Sequence, residues 1–375
     1  MSAPKLLFLA TEDWFVRSHF LPLVRRAHAE GYEPVVAARD SGALAGEGVR
    51  VIDTPFARGS LNPWLLQRQV SELRALLARE RPAIVHAIAL RPVLLMALSG
   101  ADVSYALALT GRGYLAVSDA LWVKAISACF RGLVRMALDK PGRVLLVENT
   151  ADRAWIEGGR ALPDDRVVLM PGAGVEADLV QTPQFTPPPI VVGVASRLVR
   201  SKGIDLAVAA LQRLRAEGLD IELRIAGAVD PDNPERVSEA DLLAWRAAPG
   251  VSLLGRVTDI DAFWAGCHIA CLPSRGGEGL PRMLLEAAAR GRAIVTTDVP
   301  GCSDFVSHGE TGLIAPPENA EALAAALKQL AQSGDQRQRL ADAGLSRVRS
   351  GYTVQHSADA AAEAWRAIAH ASASS

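Results

Sequence analysis

At 375 residues, 50% of them hydrophobic and 22% charged, the chain is long enough for about two domains with sizeable cores, and it is not an intrinsically disordered segment. Lys and Arg number 40 against 41 Asp and Glu, a formal net charge of −1, and neither half has the basic excess of a dedicated nucleic-acid binder. Four cysteines in so long a chain are no disulfide framework, and the apolar stretch at the N-terminus is too short for a signal peptide. No run reaches the roughly 18 apolar residues of a membrane span, so a cytoplasmic protein is expected, with any membrane contact peripheral.

Short β-type runs alternate with helical patterns from the start. KLLFLA (Lys5–Ala10) predicts a buried strand and Arg17–Glu30 a helix. Pro34–Ala38 and Val49–Asp53 predict strands, Asn62–Glu80 a long helix, and Ala83–His86 and Tyr105–Leu109 further strands. Ser118–Leu138 predicts a helix, Arg143–Val147 a strand and Ala151–Glu157 a short helix. Thr182–Pro189, TPQFTPPP, has four prolines in eight residues. Proline lacks a backbone donor and cannot extend a helix or a central strand, so this segment reads as a semi-rigid linker, with an ordinary surface loop as the alternative.

The pattern then restarts. Ile190–Ala195, Ile221–Ala226, Val251–Leu254, His268–Leu272 and Ala293–Thr296 predict strands. Ile204–Ala216, Asp259–Gly266 and Pro281–Arg290 predict helices, as do Glu318–Leu330, Gln336–Val348 and Val354–His370. Near-continuous apolar strands with helical crossovers indicate parallel sheets covered on both faces. The expected architecture is α/β: two doubly wound halves, residues 1–181 and 190–354. Ligands belong at the carboxyl ends of the strands, facing a cleft between the halves.

The richest segment is Leu272–Thr296, LPSRGGEGLPRMLLEAAARGRAIVT. A strand runs into a glycine turn (Gly276, Gly277, Gly279), and Pro281 takes the first helical position, where its missing N–H costs nothing. Open glycine backbone and free N–H groups at a helix start suit a diphosphate. Glu278 and Glu286 beside such a site suit sugar or ribose hydroxyls, which donate to carboxylates. Together they describe a nucleotide-sugar pocket. In VASRLVRSKG (Val194–Gly203), Arg197 and Lys202 stand at a strand's carboxyl end, where two fixed cations can stabilise a departing diphosphate without metal. A solvated basic turn is the alternative reading.

Other segments read as structural. Cys267-His268-Ile269-Ala270-Cys271 lies in an apolar run, where a strand sets His268 on the face opposite both cysteines, so no metal is expected there. Of the D-x-D triplets, Asp230-Pro231-Asp232 lies in a loop and Asp259-Ile260-Asp261 opens a helix, where acids suit the dipole. No G-x-G-x-x-G follows the first strand, which disfavours dinucleotide oxidoreduction. Residues 118–140 carry Lys124, Arg131 and Arg135 on one helical side with apolar Trp122, Ile126 and Phe130. Such a helix either lies on an anionic membrane or packs on the sheet with its charges solvated.

With these segments in place, the chain resembles, along essentially its full length, the family-4 glycosyltransferases of the two-domain GT-B fold. The resemblance is carried by the Arg197/Lys202 pair, AGAVDPDNPE (Ala226–Glu235), LLGRVTDI (Leu253–Ile260) and EGLPRMLLE (Glu278–Glu286), which matches the family's E-x7-E signature. TEDWFVRSHFLPL (Thr11–Leu23) and PGCSDFVSHGETGLIAPPEN (Pro300–Asn319) resemble the subgroup that builds lipid-linked surface polysaccharides and glycans. The resemblance implies that Arg197 and Lys202 bind the donor diphosphate, that Glu278 meets donor sugar hydroxyls and Glu286 the ribose, and that Gly279 and Leu280 offer backbone donors. Gly255, Arg256, Val257 and Gly277 complete the implied donor set. His86 matches the N-domain histidine near the donor sugar; its other reading is a histidine capping a buried strand. Gly111 and Gly113 form an open turn at a strand end, and His19 is a further candidate contact. The final helix, about 355–375 with Trp365 and Ile368, is implied to return to the first domain. Many family members carry a double glycine after the first strand; here the loop is Thr11–Ser18, without glycine, and Arg17 or Ser18 would substitute.

The implied activity is retaining, metal-independent sugar transfer, with no cofactor, from a nucleoside diphosphate sugar, UDP-linked by expectation. The acceptor is a hydroxyl of a lipid-linked or glycan molecule. A nucleotide-sugar epimerase and a catalytically silent nucleotide-sugar-binding partner are the alternatives.

Overall fold

The computed structural model describes residues 3–56, 62–118, 120–177, 188–230, 233 and 235–373. They form two compact units, Met1–Ala173 with Val354–Ser375, and Gly174–Thr353. Most of the Pro-rich segment predicted as a linker, residues 182–187, lies outside the described residues.

The first unit is a seven-stranded parallel sheet in the order β3-β2-β1-β4-β5-β6-β7. Its strands are β1 (Lys5–Glu12), β2 (Glu33–Arg39), β3 (Arg50–Asp53), β4 (Ile84–Ile88), β5 (Ser104–Leu109), β6 (Arg143–Val147) and β7 (Val167–Leu169). Alternation along β1 divides the core: Leu7 and Leu9 pack on the side of the Pro63–Glu80, Leu90–Ser99 and Leu121–Ala137 helices, while Leu6 and Phe8 face Leu21–Ala29 and Val354–Ala373. Both faces are therefore covered, which is why these strands read as continuous apolar runs.

The second unit is a six-stranded sheet in the order β10-β9-β8-β11-β12-β13. The strands are β8 (Ile190–Ala195), β9 (Ile221–Ala226), β10 (Val251–Gly255), β11 (Ile269–Leu272), β12 (Ala293–Thr297) and β13 (Leu313–Ala315), all parallel. In each unit strand order reverses beside the first strand, between β1 and β4 and between β8 and β11. Crevices form at such reversals, outside the carboxyl ends.

Several elements differ from the sequence reading. The stretch expected as a glycine-free loop after the first strand is the end of β1 followed by helical turns, Asp13–Phe15 and then Val16–Phe20 with π-type bonding. The expected Ser118–Leu138 helix runs from Leu121 to Ala137, and a short helix that was not predicted, Tyr114–Val117, precedes it. The Leu90–Ser99 helix (LRPVLLMALS) was not predicted, because an almost wholly apolar decapeptide shows no 3.6 period to separate it from a strand. Glu239–Ala247 and the three-residue strands β7 and β13 were missed too.

Candidate functional site

β8 and β11 pair side by side, Val192 with Ile269 and Gly193 with Ala270. Their carboxyl ends release the two loops that the sequence singled out. The loops touch through glycine: Gly203 has φ +66°, and a Cβ there would sit 1.9 Å from the Pro273 carbonyl oxygen. Arg275 N–H donates to the Ser201 carbonyl at 2.7 Å, and the Arg275 guanidinium ties the turn to Asp205 with two bonds of 2.8 Å. These bonds fix the loop backbone, so the side chains between them have little freedom.

Lys202 and Glu278 meet in this frame. Lys202 Nζ donates to Glu278 Oε1 at 2.8 Å and Oε2 at 2.7 Å, and Ser274 Oγ donates to Oε1 at 2.9 Å. Only 16% of the lysine side chain and 11% of the glutamate remain exposed. Arg197 is exposed and pairs with Asp230 at 3.6 Å. A carboxylate that sequence reasoning missed, Glu235, belongs to the same field. Burial pushes its carboxyl up, against Ser201 and the cations Arg197 and Lys202, while Glu278 adds to the rise. Its position in a Pro/Asn-rich loop gave no signal.

The ends of β9 and β10 close around the same edge. Gly227 has φ +158°, an added Cβ would lie 1.8 Å from the Ser196 carbonyl oxygen, and its N–H donates to Gly255 at 2.7 Å. Gly255 turns with φ +67° into exposed Arg256 and half-buried Val257. Across the glycine turn, Gly276 and Gly277 also have positive φ, and Gly301 approaches Gly279 so closely that a Cβ would be 2.1 Å from its carbonyl. Leu280 buries its side chain in the core. Pro281 stands one position earlier than expected, as the residue before the Arg282–Ala289 helix. On that helix Glu286 pairs with Arg282 at 2.8 Å. Burial pushes its carboxyl upward, the Arg282 guanidinium opposing.

His86 does not belong with these groups. It lies in the middle of β4 with no exposed surface, between Phe8 and Trp365, and its Nδ1 accepts from the Trp365 indole at 3.0 Å. A ring so enclosed touches no ligand in this arrangement, which corrects the donor-sugar role in favour of a strand histidine holding the final helix. Burial lowers its pKa to about 3, so the ring is neutral. At the end of β1, Ser18 Oγ and His19 Nδ1 lie 2.6 Å apart, and Arg17 pairs with Glu47 at 3.6 Å. The group organising this segment is instead Asp13. It is fully buried and accepts from Trp14 N, Ser41 N, Ser41 Oγ and Ala43 N at 2.7, 3.0, 2.6 and 2.8 Å. Burial works against its charge, yet these donors hold its carboxyl below the usual range. Gly111 and Gly113, both with positive φ, follow β5.

The remaining candidates have structural partners. His268 Nδ1 accepts from Val191 N at 2.9 Å, away from the buried cysteines. Asp259 caps its helix by accepting from Ala262 N, and Asp261 pairs with Arg290 at 2.6 Å. Of the other triplet only Asp230 is described. No group of three or more metal-ligating side chains occurs among the described residues. In the Leu121–Ala137 helix, Arg131 donates to the Trp155 carbonyl at 3.5 Å, and Arg135 to those of Glu157 and Arg160. Two of the three expected membrane-facing cations thus bond carbonyls at the end of the neighbouring helix. Among the described residues no helix is long and apolar enough to cross a membrane.

The comparisons agree with this geometry. A family model described as "Glycosyl transferases group 1" matches residues 189–333, and one described as "Glycosyl transferase 4-like" matches residues 5–145. The capsular polysaccharide biosynthesis glycosyltransferase CapM of Staphylococcus aureus is 27% identical over 165 residues, 44% of this chain and 43% of that protein. A phosphatidyl-myo-inositol mannosyltransferase of Mycolicibacterium smegmatis is 34% identical over 128 residues, 34% of this chain and 32% of that one. The chain thus spans less than two thirds of the length of the curated relatives it matches. Among solved structures, a glycosyltransferase from Rickettsia africae superposes with a TM-score of 0.75 at 17% identity, covering 98% of this chain and 99% of that one. HepE of Anabaena, in complex with UDP and glucose, gives 0.75 at 18% identity over 96% and 98%.

Two parallel, doubly wound units with paired cations and carboxylates at one strand reversal define the GT-B class. The chain belongs to the family-4 glycosyltransferases of that fold.

Proposed function

We propose that this protein is a retaining, metal-independent glycosyltransferase. It moves a sugar from a nucleoside diphosphate donor, UDP-linked in our reading, to a hydroxyl of a lipid-linked or glycan acceptor in surface polysaccharide synthesis, on the cytoplasmic side of the membrane. The donor binds the 190–354 half and the acceptor is held by residues 1–181 with the final helix. The observation that carries the reading is the Lys202–Glu278 contact where β8 and β11 separate, with Arg197 beside it. The UDP bound by HepE supports the choice of donor.

In this mechanism the diphosphate draws Lys202 off Glu278 and recruits Arg197. Glu278, released, accepts hydrogen bonds from the donor sugar, and Glu286 from the ribose. The bond from the anomeric carbon to the diphosphate oxygen breaks through an oxocarbenium-like state. The acceptor oxygen attacks the same face, and its proton passes to the departing phosphate oxygen. Arg197 and Lys202 stabilise the charge that develops there, where preorganised donors contribute most.

Titration with UDP tests the reading. A hydrogen bond to a charged group contributes about 1.5–3 kcal/mol, so Lys202→Ala is expected to weaken UDP binding roughly ten- to a hundredfold and to abolish transfer. Unchanged affinity in that variant refutes the assignment.

A further inference from the structure

One guanidinium at the carboxyl edge of the first unit has no role in anything above. β5 ends at Leu109, which pairs with Val147 at the end of β6, and the next turn, LTGRGY, presents Arg112 between two glycines of positive φ. From the end of β6, Asn149 caps the Thr150–Glu157 helix by accepting from Asp152 N at 2.7 Å. That cap sets Asp152 in the interior with no exposed surface. Arg112 Nε stands 2.8 Å from Asp152 Oδ1, and the guanidinium carbon lies 5.6 Å from the centre of the Trp155 ring. The side chain is therefore held from two directions, by a buried carboxylate and by an aromatic ring.

What is held in place is a free fork. Among the described residues neither Nη group of Arg112 donates a hydrogen bond, although 19% of the side chain stays open to solvent. Arg143, a structural arginine in the same unit, behaves differently: its two Nη groups donate to the Ala137 and Ala101 carbonyls. A buried ion pair stabilises well only when its remaining donors are also satisfied, so a purely structural Arg112 would bond with its Nη groups as well. A planar, immobilised fork with both ends free matches two oxygens of one phosphate.

We propose that Arg112 binds a phosphate group. If the glycosyltransferase reading above holds, that phosphate is the one joining the acceptor glycan to its lipid, and Arg112 selects acceptors that carry it; otherwise the ligand is a free anion. Asp152 and Trp155 are positioning residues for the fork.

The test is calorimetric titration of the full chain with farnesyl diphosphate and with inorganic pyrophosphate, in the presence and absence of UDP. Because Arg112 stands against the buried Asp152 carboxylate, the two charges are removed as a pair in Arg112→Gln/Asp152→Asn. That variant is expected to bind farnesyl diphosphate at least tenfold more weakly while UDP affinity stays at the wild-type value. Arg112→Lys, which keeps the charge but loses the fork, is expected to show a smaller loss and serves alone if the double variant does not fold. Preference for farnesyl diphosphate over pyrophosphate identifies a lipid-linked ligand, and equal binding of the two identifies a free anion. Wild-type affinity for both compounds in the variants overturns the proposal. Failure of UDP to bind the wild type refutes the donor reading separately and leaves the Arg112 comparison intact.

Discussion

Gly203 shows how much of the site depends on one missing atom. Its φ of +66° is a left-handed conformation, which costs an L-residue about 1–2 kcal/mol. The Pro273 oxygen 1.9 Å from an added Cβ is backbone and cannot swing aside. Gly203→Ala must therefore part the two loops that bring Lys202 to Glu278. Gly255 has nearly the same φ, +67°, but nothing within 4 Å of the added atom. Thermal unfolding and UDP titration of both variants should separate the two effects. Gly255→Ala is expected to lose only about 1–2 kcal/mol of stability, whereas Gly203→Ala loses more and also loses nucleotide affinity. Equal losses of affinity would show that the loops are not coupled through this contact. Lys202 and Glu278 were visible in the sequence because each followed an apolar run at a fixed offset. Gly203, Gly227 and Gly301 were not, because a glycine needed for close approach looks like any other glycine until its neighbour is known.

Inside its apolar contact with the sheet, the final helix, Val354–Ala373, makes a buried polar bond. Trp365 and Ile368 pack with Phe8 and Ala106, and the Trp365 indole donates to His86. That return was legible from the resemblance, but the bond to His86 was not, since nothing in IVHA marks the histidine as interior rather than ligand-facing. Its depressed pKa, about 3 against an ordinary 6.5, has a direction in pH. The unfolded chain binds this proton below about pH 6.5 while the folded chain resists it. Stability is therefore present above pH 6.5 and falls as the pH drops, by about 1.4 kcal/mol per unit, until the folded pKa is reached near 3. Protonation of Nδ1 would also end its acceptance from the indole. His86→Gln, whose side-chain oxygen can accept from Trp365, should flatten the loss of stability between pH 6 and 4 in denaturant titrations. An unaltered slope would place the acid sensitivity elsewhere.

At the scale of the whole chain, the two-unit organisation was readable because buried parallel strands announce themselves by composition. Short strands such as β7 and β13 were not, since three residues carry no period. The donor candidates that the structure brings together, Arg197, Lys202, Gly255 and Glu278, all lie in Gly174–Thr353, as does Glu286, whereas His86, Asp13 and Arg112 lie in the other unit. This division has a measurable consequence. The loop ends of β8 and β11 owe their present arrangement partly to a Lys202–Glu278 bond that a diphosphate must open, and Gly255 at the end of β10 bonds the Gly227 amide beside them, so these amides should report nucleotide directly. Hydrogen exchange with and without UDP is expected to show added protection at residues 196–203, 255–257 and 274–286. The amides of β4 and β5, held by sheet bonds on both sides, should exchange equally with and without UDP. Protection that appears in β4 and β5 but not at 196–203 or 274–286 would put the nucleotide in the first unit and reverse the assignment of donor and acceptor sides.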